Sequence, residues 1–222
     1  MSYQSVILLI IGILNLGLAI IVYWRNRKNL ANFYYSMMVF TGSLWVFGNF
    51  AYSLFLDQPD IRLAVISIIY ICTLVTSFYY FIFTYNFPYK TFKLPRPFLT
   101  SLYIFVFLYA LVLGFDSNYL IDLSILNTNE IIINLGNYWT FSVIFSLFII
   151  SGFIILFKKY FLVEGVYKSQ IKYVLWATIL TYTLASLTNL ITGFWNNFDF
   201  HWLGPVFSLI NFLVIGWVLF RK

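Results

Sequence analysis

Charge is what this chain has least of: 9% of its 222 residues are Asp, Glu, Lys or Arg, where a soluble domain carries about 25%. Hydrophobic residues make up 62% and the mean hydropathy is +0.90. No soluble fold hides that much apolar surface, so the solvent, and the chain's first partner, is the lipid bilayer. Cysteine occurs once, at Cys72, which excludes an intrachain disulfide and a four-cysteine zinc site. Buried among apolar residues, it reads as a small filler. Histidine also occurs once, and His201 beside Trp202 has no Cys, Asp or Glu cluster to make it a metal ligand. No Gly-rich phosphate loop, Ser/His/Asp set or Cys/His metal spacing is present. The long apolar runs hold no ionisable residue, which speaks against a pump, an ion-coupled transporter or an intramembrane hydrolase. The last run lacks the lysine of a retinal Schiff base. The reading is therefore of a chain that is not itself an enzyme and holds no cofactor or metal.

What is present is a set of seven apolar stretches at 5–24, 33–56, 63–87, 97–115, 136–157, 173–195 and 203–220. Each is near the ~20 residues that cross ~30 Å of hydrocarbon as a helix. A membrane barrel would show ~10-residue alternating segments instead, and runs such as Ser5–Trp24 do not alternate. The first stretch reaches full spanning length and runs into Arg25, Arg27 and Lys28, so it predicts a retained helix rather than a cleaved signal. The expected fold is all-α, a single domain over 1–222 with seven transmembrane helices.

The net charge of +6 does not mark a nucleic-acid binder, because it is distributed by topology. Twelve of the thirteen basic residues fall in the odd-numbered linkers or after the last helix, and Arg62 is the exception. Six of the seven acids fall in the even-numbered linkers. The positive-inside rule then predicts an N-terminus outside and a C-terminus in the cytoplasm. Miscounting by one helix would destroy this alternation. One linker is long, at 116–135; its two β-prone runs around Asn127-Thr-Asn-Glu130 predict a small extracellular β-hairpin, with a plain loop as the alternative.

The remaining polar residues are uncharged. Trp45 and Asn49 lie in the second helix and Tyr70 in the third. Tyr138, Trp139 and Thr140 open the fifth, Thr188, Asn189 and Thr192 lie in the sixth, and Ser208 and Asn211 in the seventh. Positions 185, 189, 192 and 204, 208, 211 each share a helical face, which turns inward because lipid offers no partner. Two readings of these faces are open. They are interhelical hydrogen bonds, contributing ~0.6–2 kcal/mol each. Or Trp45, Asn49, Tyr70, Trp139, Asn189, Ser208 and Asn211 line a site for a small, mostly apolar ligand.

The order of landmarks resembles the N-terminal seven-transmembrane sensor region of prokaryotic histidine kinases. They are a basic patch after the first helix, Ser43-Leu-Trp-Val-Phe-Gly48, Phe81-Ile-Phe-Thr-Tyr-Asn-Phe-Pro88, Ser169-Gln-Ile-Lys-Tyr173, Thr188-Asn-Leu-Ile191, Leu203-Gly-Pro205 and Phe220-Arg-Lys222. The resemblance implies a sensing module in the plasma membrane of a bacterium or archaeon. Its last helix would feed a cytoplasmic signalling domain or a partner kinase, and it would work as a homodimer. The sequence departs from the pattern in ending at Lys222, so either it is the sensor portion of a longer protein or it signals through a partner. The alternative reading is a transporter or channel for a small neutral solute, although no repeat or pair of broken helices supports one.

Overall fold

The computed structural model describes residues 2–55, 58–116, 119–120, 134–191 and 202–220. Among these, the chain forms seven α-helices: α1 Tyr3–Arg25, α2 Leu30–Leu54, α3 Pro59–Asn86, α4 Arg96–Phe115, α5 Leu135–Leu162, α6 Gly165–Ala185 and α7 Leu203–Phe220. A π-helical turn, Ser186–Ile191, continues α6. No strand occurs among the described residues. Most of the 116–135 segment, where the sequence predicts a hairpin, lies outside them.

Helix starts follow local chemistry. Ser2 accepts from the Ser5 amide at 3.2 Å, and Asn29 from that of Ala31 at 2.8 Å, each satisfying an N-terminal N–H that the helix cannot. Pro59 and Pro97 sit in the first turns of α3 and α4, where a missing N–H costs nothing.

The largest departures from the apolar-run reading lie at the junction of α5 and α6. α5 continues five residues past 157 and α6 begins eight residues before 173, so only Val163 and Glu164 separate them. Lys158, Lys159, Lys168 and Lys172 are thus helical rather than loop residues. Long basic side chains extend a helix through the interface by burying their stems while directing their heads elsewhere, and hydropathy alone does not see that extension.

Five of the helices, α1, α3, α4, α5 and α7, are long and apolar enough to span a membrane on composition alone. α2 and α6 are more polar. α2 sits between α1 and α3 and also touches α7, hiding Asn32, Ser36, Ser43 and Asn49. α4 is peripheral, burying only Val106, Tyr109 and Leu113. Helix ends gather in two groups. Arg25 meets Phe220, and Lys159 meets residues 84–89, at what is called here the basic end. Ser5 meets Ser53, and Asn137 meets Tyr119, at the opposite, acidic end.

α3 and α5 cross in close contact. Any Cβ on Gly152 would overlap the fully buried Tyr80 ring, whereas Gly17 has nothing within 4 Å. Gly152→Val is therefore expected to destabilise by about 1–3 kcal/mol through overpacking. Gly17→Ala is expected to be neutral or to gain up to about 1 kcal/mol of helix propensity. Thermal unfolding in one detergent compares the two; equal melting points would contradict this α3–α5 crossing.

Candidate functional site

At the acidic end α6 does not stop but widens. The Thr188 hydroxyl donates to the carbonyls of Leu184 and Ala185 at 3.0 and 3.3 Å. That competes with the i→i−4 ladder, and the π turn appears at this point. π turns are often found at functional sites. Asn189 lies on this turn. Its carbonyl accepts from the Tyr138 hydroxyl of α5 at 3.2 Å. Its carboxamide lies where a Cβ on residue 204 would be, so only glycine lets α7 approach so closely here.

From that contact a polar seam runs down between α6 and α7. Thr181 donates to the Phe207 carbonyl at 3.3 Å. Thr178 bonds both the Val174 carbonyl at 2.7 Å and the Asn211 carboxamide oxygen at 3.3 Å. Ser208, on the same face of α7, bonds the Pro205 carbonyl at 2.8 Å. The Tyr35 hydroxyl of α2 donates to the Phe212 carbonyl, tying the seam to the other side of α7.

Aromatic rings line α3, α5 and α6 beside the seam. Tyr70 meets Tyr138 and Phe141 edge-on, with centroids 6.2 and 4.9 Å apart. Phe141 stacks on Phe145 at 6.3 Å, Phe145 meets Tyr182 at 6.4 Å, and Tyr182 meets Tyr80 at 5.4 Å. Such pairs contribute about 0.5–1.5 kcal/mol each beyond their burial. The column links the acidic end to the middle of the bundle.

The structure thus brings together four of the residues singled out by sequence, Tyr70, Asn189, Ser208 and Asn211. Trp45 and Asn49 lie elsewhere: the Asn49 amide donates to the Trp45 carbonyl at 2.8 Å, and Trp45 packs against the cluster of Leu8, Ile11 and Val46. Trp139 is 55% exposed on the outer side of α5; its neighbour Tyr138, about 100° round the helix, is the aromatic that faces inward. Thr178, Thr181 and Tyr138 belong to the seam although the sequence did not single them out as site residues. Spacing carried the signal, since 174, 178 and 181 repeat on one face of α6.

Two buried polar groups were hidden in the sequence. Asn15 of α1 is fully buried, and neither atom of its amide has a hydrogen-bond partner among the described residues. Lys159 of α5 is also fully buried. Its ammonium donates to the carbonyls of Thr84, Tyr85, Phe87 and Tyr89 at 3.0, 2.8, 2.6 and 2.8 Å. Residue 88 is proline and has no N–H, so no helical donor can reach the Thr84 carbonyl; the lysine takes that place. At the same end, Arg25 donates to the Phe220 carbonyl at 3.1 Å and lies 4.2 Å from the Phe220 ring centre. Gln170 donates to the Val218 carbonyl at 3.4 Å. The basic end of α7 is held from two sides.

The family model described as the N-terminal 7TM region of histidine kinase matches residues 7–222. No curated protein and no solved structure matches the chain.

Tyr138→Phe keeps the ring column and removes the donor to Asn189. The expected cost is about 1 kcal/mol, together with faster amide hydrogen exchange confined to residues 186–191. Unchanged exchange there would mean that the bond does not hold the π turn.

Proposed function

The chain belongs to the family of N-terminal seven-transmembrane regions of histidine kinases, and from that membership we propose that it is a membrane-embedded signal-sensing module. It lies in the plasma membrane of a bacterium or archaeon with its N-terminus outside. A small, mostly apolar ligand or a change in the membrane alters packing at the acidic, outward end. The seam between α6 and α7 changes with it, and α7 carries the displacement to a cytoplasmic signalling domain or partner kinase. The module works as a homodimer, as the resemblance to dimeric kinases implies.

The observation that carries this reading is the seam itself. It is built from uncharged hydrogen bonds between Thr178 and Asn211 and between Thr181 and the Phe207 carbonyl. It begins at the π turn and lies on the helix whose far end is gripped by Arg25 and Gln170. Interhelical bonds of ~0.6 kcal/mol each are weak enough for ligand binding to redistribute. A ligand shifts such a pair of packings only by binding one better than the other.

Orientation is tested by labelling single cysteines in whole cells with a membrane-impermeant maleimide. Gly136→Cys at the acidic end is expected to react and Lys28→Cys at the basic end to react only after lysis. Cys72 is buried and gives little background. The reverse pattern would turn the sensor inside out. Output is tested by fusing a histidine kinase domain after Lys222 and measuring autophosphorylation. Asn189→Leu and Asn211→Leu are each expected to change basal activity by about 5- to 10-fold, the effect of ~1–1.4 kcal/mol on a two-state equilibrium. If neither variant alters the output under any stimulus while reconstituted protein moves small neutral solutes, the chain is a transporter instead.

A further inference from the structure

The group least explained by a sensor of apolar ligands is Lys159. Its ammonium has three protons and four acceptors, at 2.6 to 3.0 Å, so the arrangement is a cage of convergent carbonyl dipoles rather than a set of paired bonds. Carbonyl cages of this kind replace the hydration shell of a monovalent cation. Two of the carbonyls belong to the last turn of α3, where the helix dipole is negative, and two to the segment that follows it. That segment is also pinned locally, because the Leu94 amide donates to the Tyr85 hydroxyl at 3.1 Å.

A continuous set of contacts leads from the cage to the end of α7. Tyr89, whose carbonyl is one wall of the cage, meets the Tyr167 ring of α6 edge-on at 5.3 Å. Further along α6, Gln170 reaches the Val218 carbonyl about one turn on, and Tyr173 meets Trp217 at 5.6 Å about two turns on. Ser169 and Val218 both line the same narrow cleft between α6 and α7.

We propose that Lys159 is a positioning residue whose ammonium occupies a monovalent-cation site built of backbone carbonyls, and that this site, through Tyr89 and Tyr167, fixes the place of the basic end of α7 against α6. The proposal deepens the sensor reading and rests on it for any effect on output; the placement of α7 stands or falls separately. The shape of the cage demands a compact ammonium. A planar guanidinium directs its donors along a fork and does not meet four convergent oxygens, so Lys159→Arg is expected to behave as a loss despite keeping the charge.

The test uses the whole chain in lipid nanodiscs, with Cys72→Ala and paired cysteines at Ser169 and Val218, reading the rate of oxidative cross-linking. Lys159→Ala, Lys159→Arg and Tyr89→Leu are each expected to change the rate by about tenfold, the equivalent of about one net hydrogen bond. Propylammonium, which has the stem and head removed in Lys159→Ala, is expected to restore the parent rate in that variant alone. Tetramethylammonium at equal ionic strength has no N–H and is expected to restore none. An unchanged rate in Lys159→Ala or Tyr89→Leu, or equal rescue by both ions, would overturn the proposal. If Lys159→Ala folds only when produced with propylammonium, the cation site is supported; if it folds with neither ion, the site is refuted. A fused kinase that ignores these variants while the cross-link follows them would sink the sensor reading and leave the placement of α7 intact.

Discussion

Hydrocarbon offers a buried donor or acceptor no partner, and most of the polar architecture within the bundle answers that condition. The backbone answers by forming helices, whose N–H and C=O groups satisfy one another. Side chains answer in two ways. Ser77, Thr84, Ser53 and Asn86 fold back on carbonyls three or four residues earlier in their own helices. Others reach across to another helix, as Thr41 does to Thr76 and Ser43 to the Gly12 carbonyl. Only the second kind reports on how helices sit relative to one another. The α6–α7 seam is where bonds of that kind follow one another along a single interface.

The seven helices and their alternating ends were legible because both are imposed from outside the fold. Bilayer thickness sets the length of each apolar run, and insertion sets which linkers carry lysine and arginine. What lay inside the bundle was less legible. Trp139 and Tyr138 are adjacent aromatics, and which one faces inward depends on a helix rotation that a short, uniformly apolar run does not specify. Lys159 looked like one more interfacial cation beside Lys158. Its burial depends on backbone carbonyls at the end of α3 and just beyond it, one of them the Thr84 carbonyl that Pro88 leaves without a donor, more than 70 residues away in sequence. Asn15 was passed over inside an apolar run, although it shares a face with Leu8, Ile11, Gly12, Ala19 and Val22, all of them buried.

The two ends of the bundle are built for different duties. The acidic end is held by neutral hydroxyls, amides and ring edges, interactions of about 1 kcal/mol or less apiece. The basic end is held by charge-assisted bonds from Lys159 and Arg25 to main-chain carbonyls, which are roughly twice as strong as neutral ones. In the proposed sensor, a soft end and a stiff end of one bundle would favour motion that starts at the first and is transmitted by the second.

Magnitudes constrain how such a device could switch. Moving a two-state equilibrium from 1:99 to 99:1 takes about 5.5 kcal/mol of differential binding. The hydrogen bonds from Thr181 and Thr178 across the seam, at ~0.6 kcal/mol each, fall well short of that. In the proposed sensor the seam alone would therefore tune the balance between packings without setting it. The rest has to come from groups whose satisfaction differs strongly between the two packings. Asn15 is a candidate source in the proposed sensor, because a fully buried amide with neither atom paired forfeits about 1–3 kcal/mol for each polar atom left unmet. A second packing that gave Asn15 a partner would regain that energy in the core face of α1, the same helix that Arg25 ties to α7.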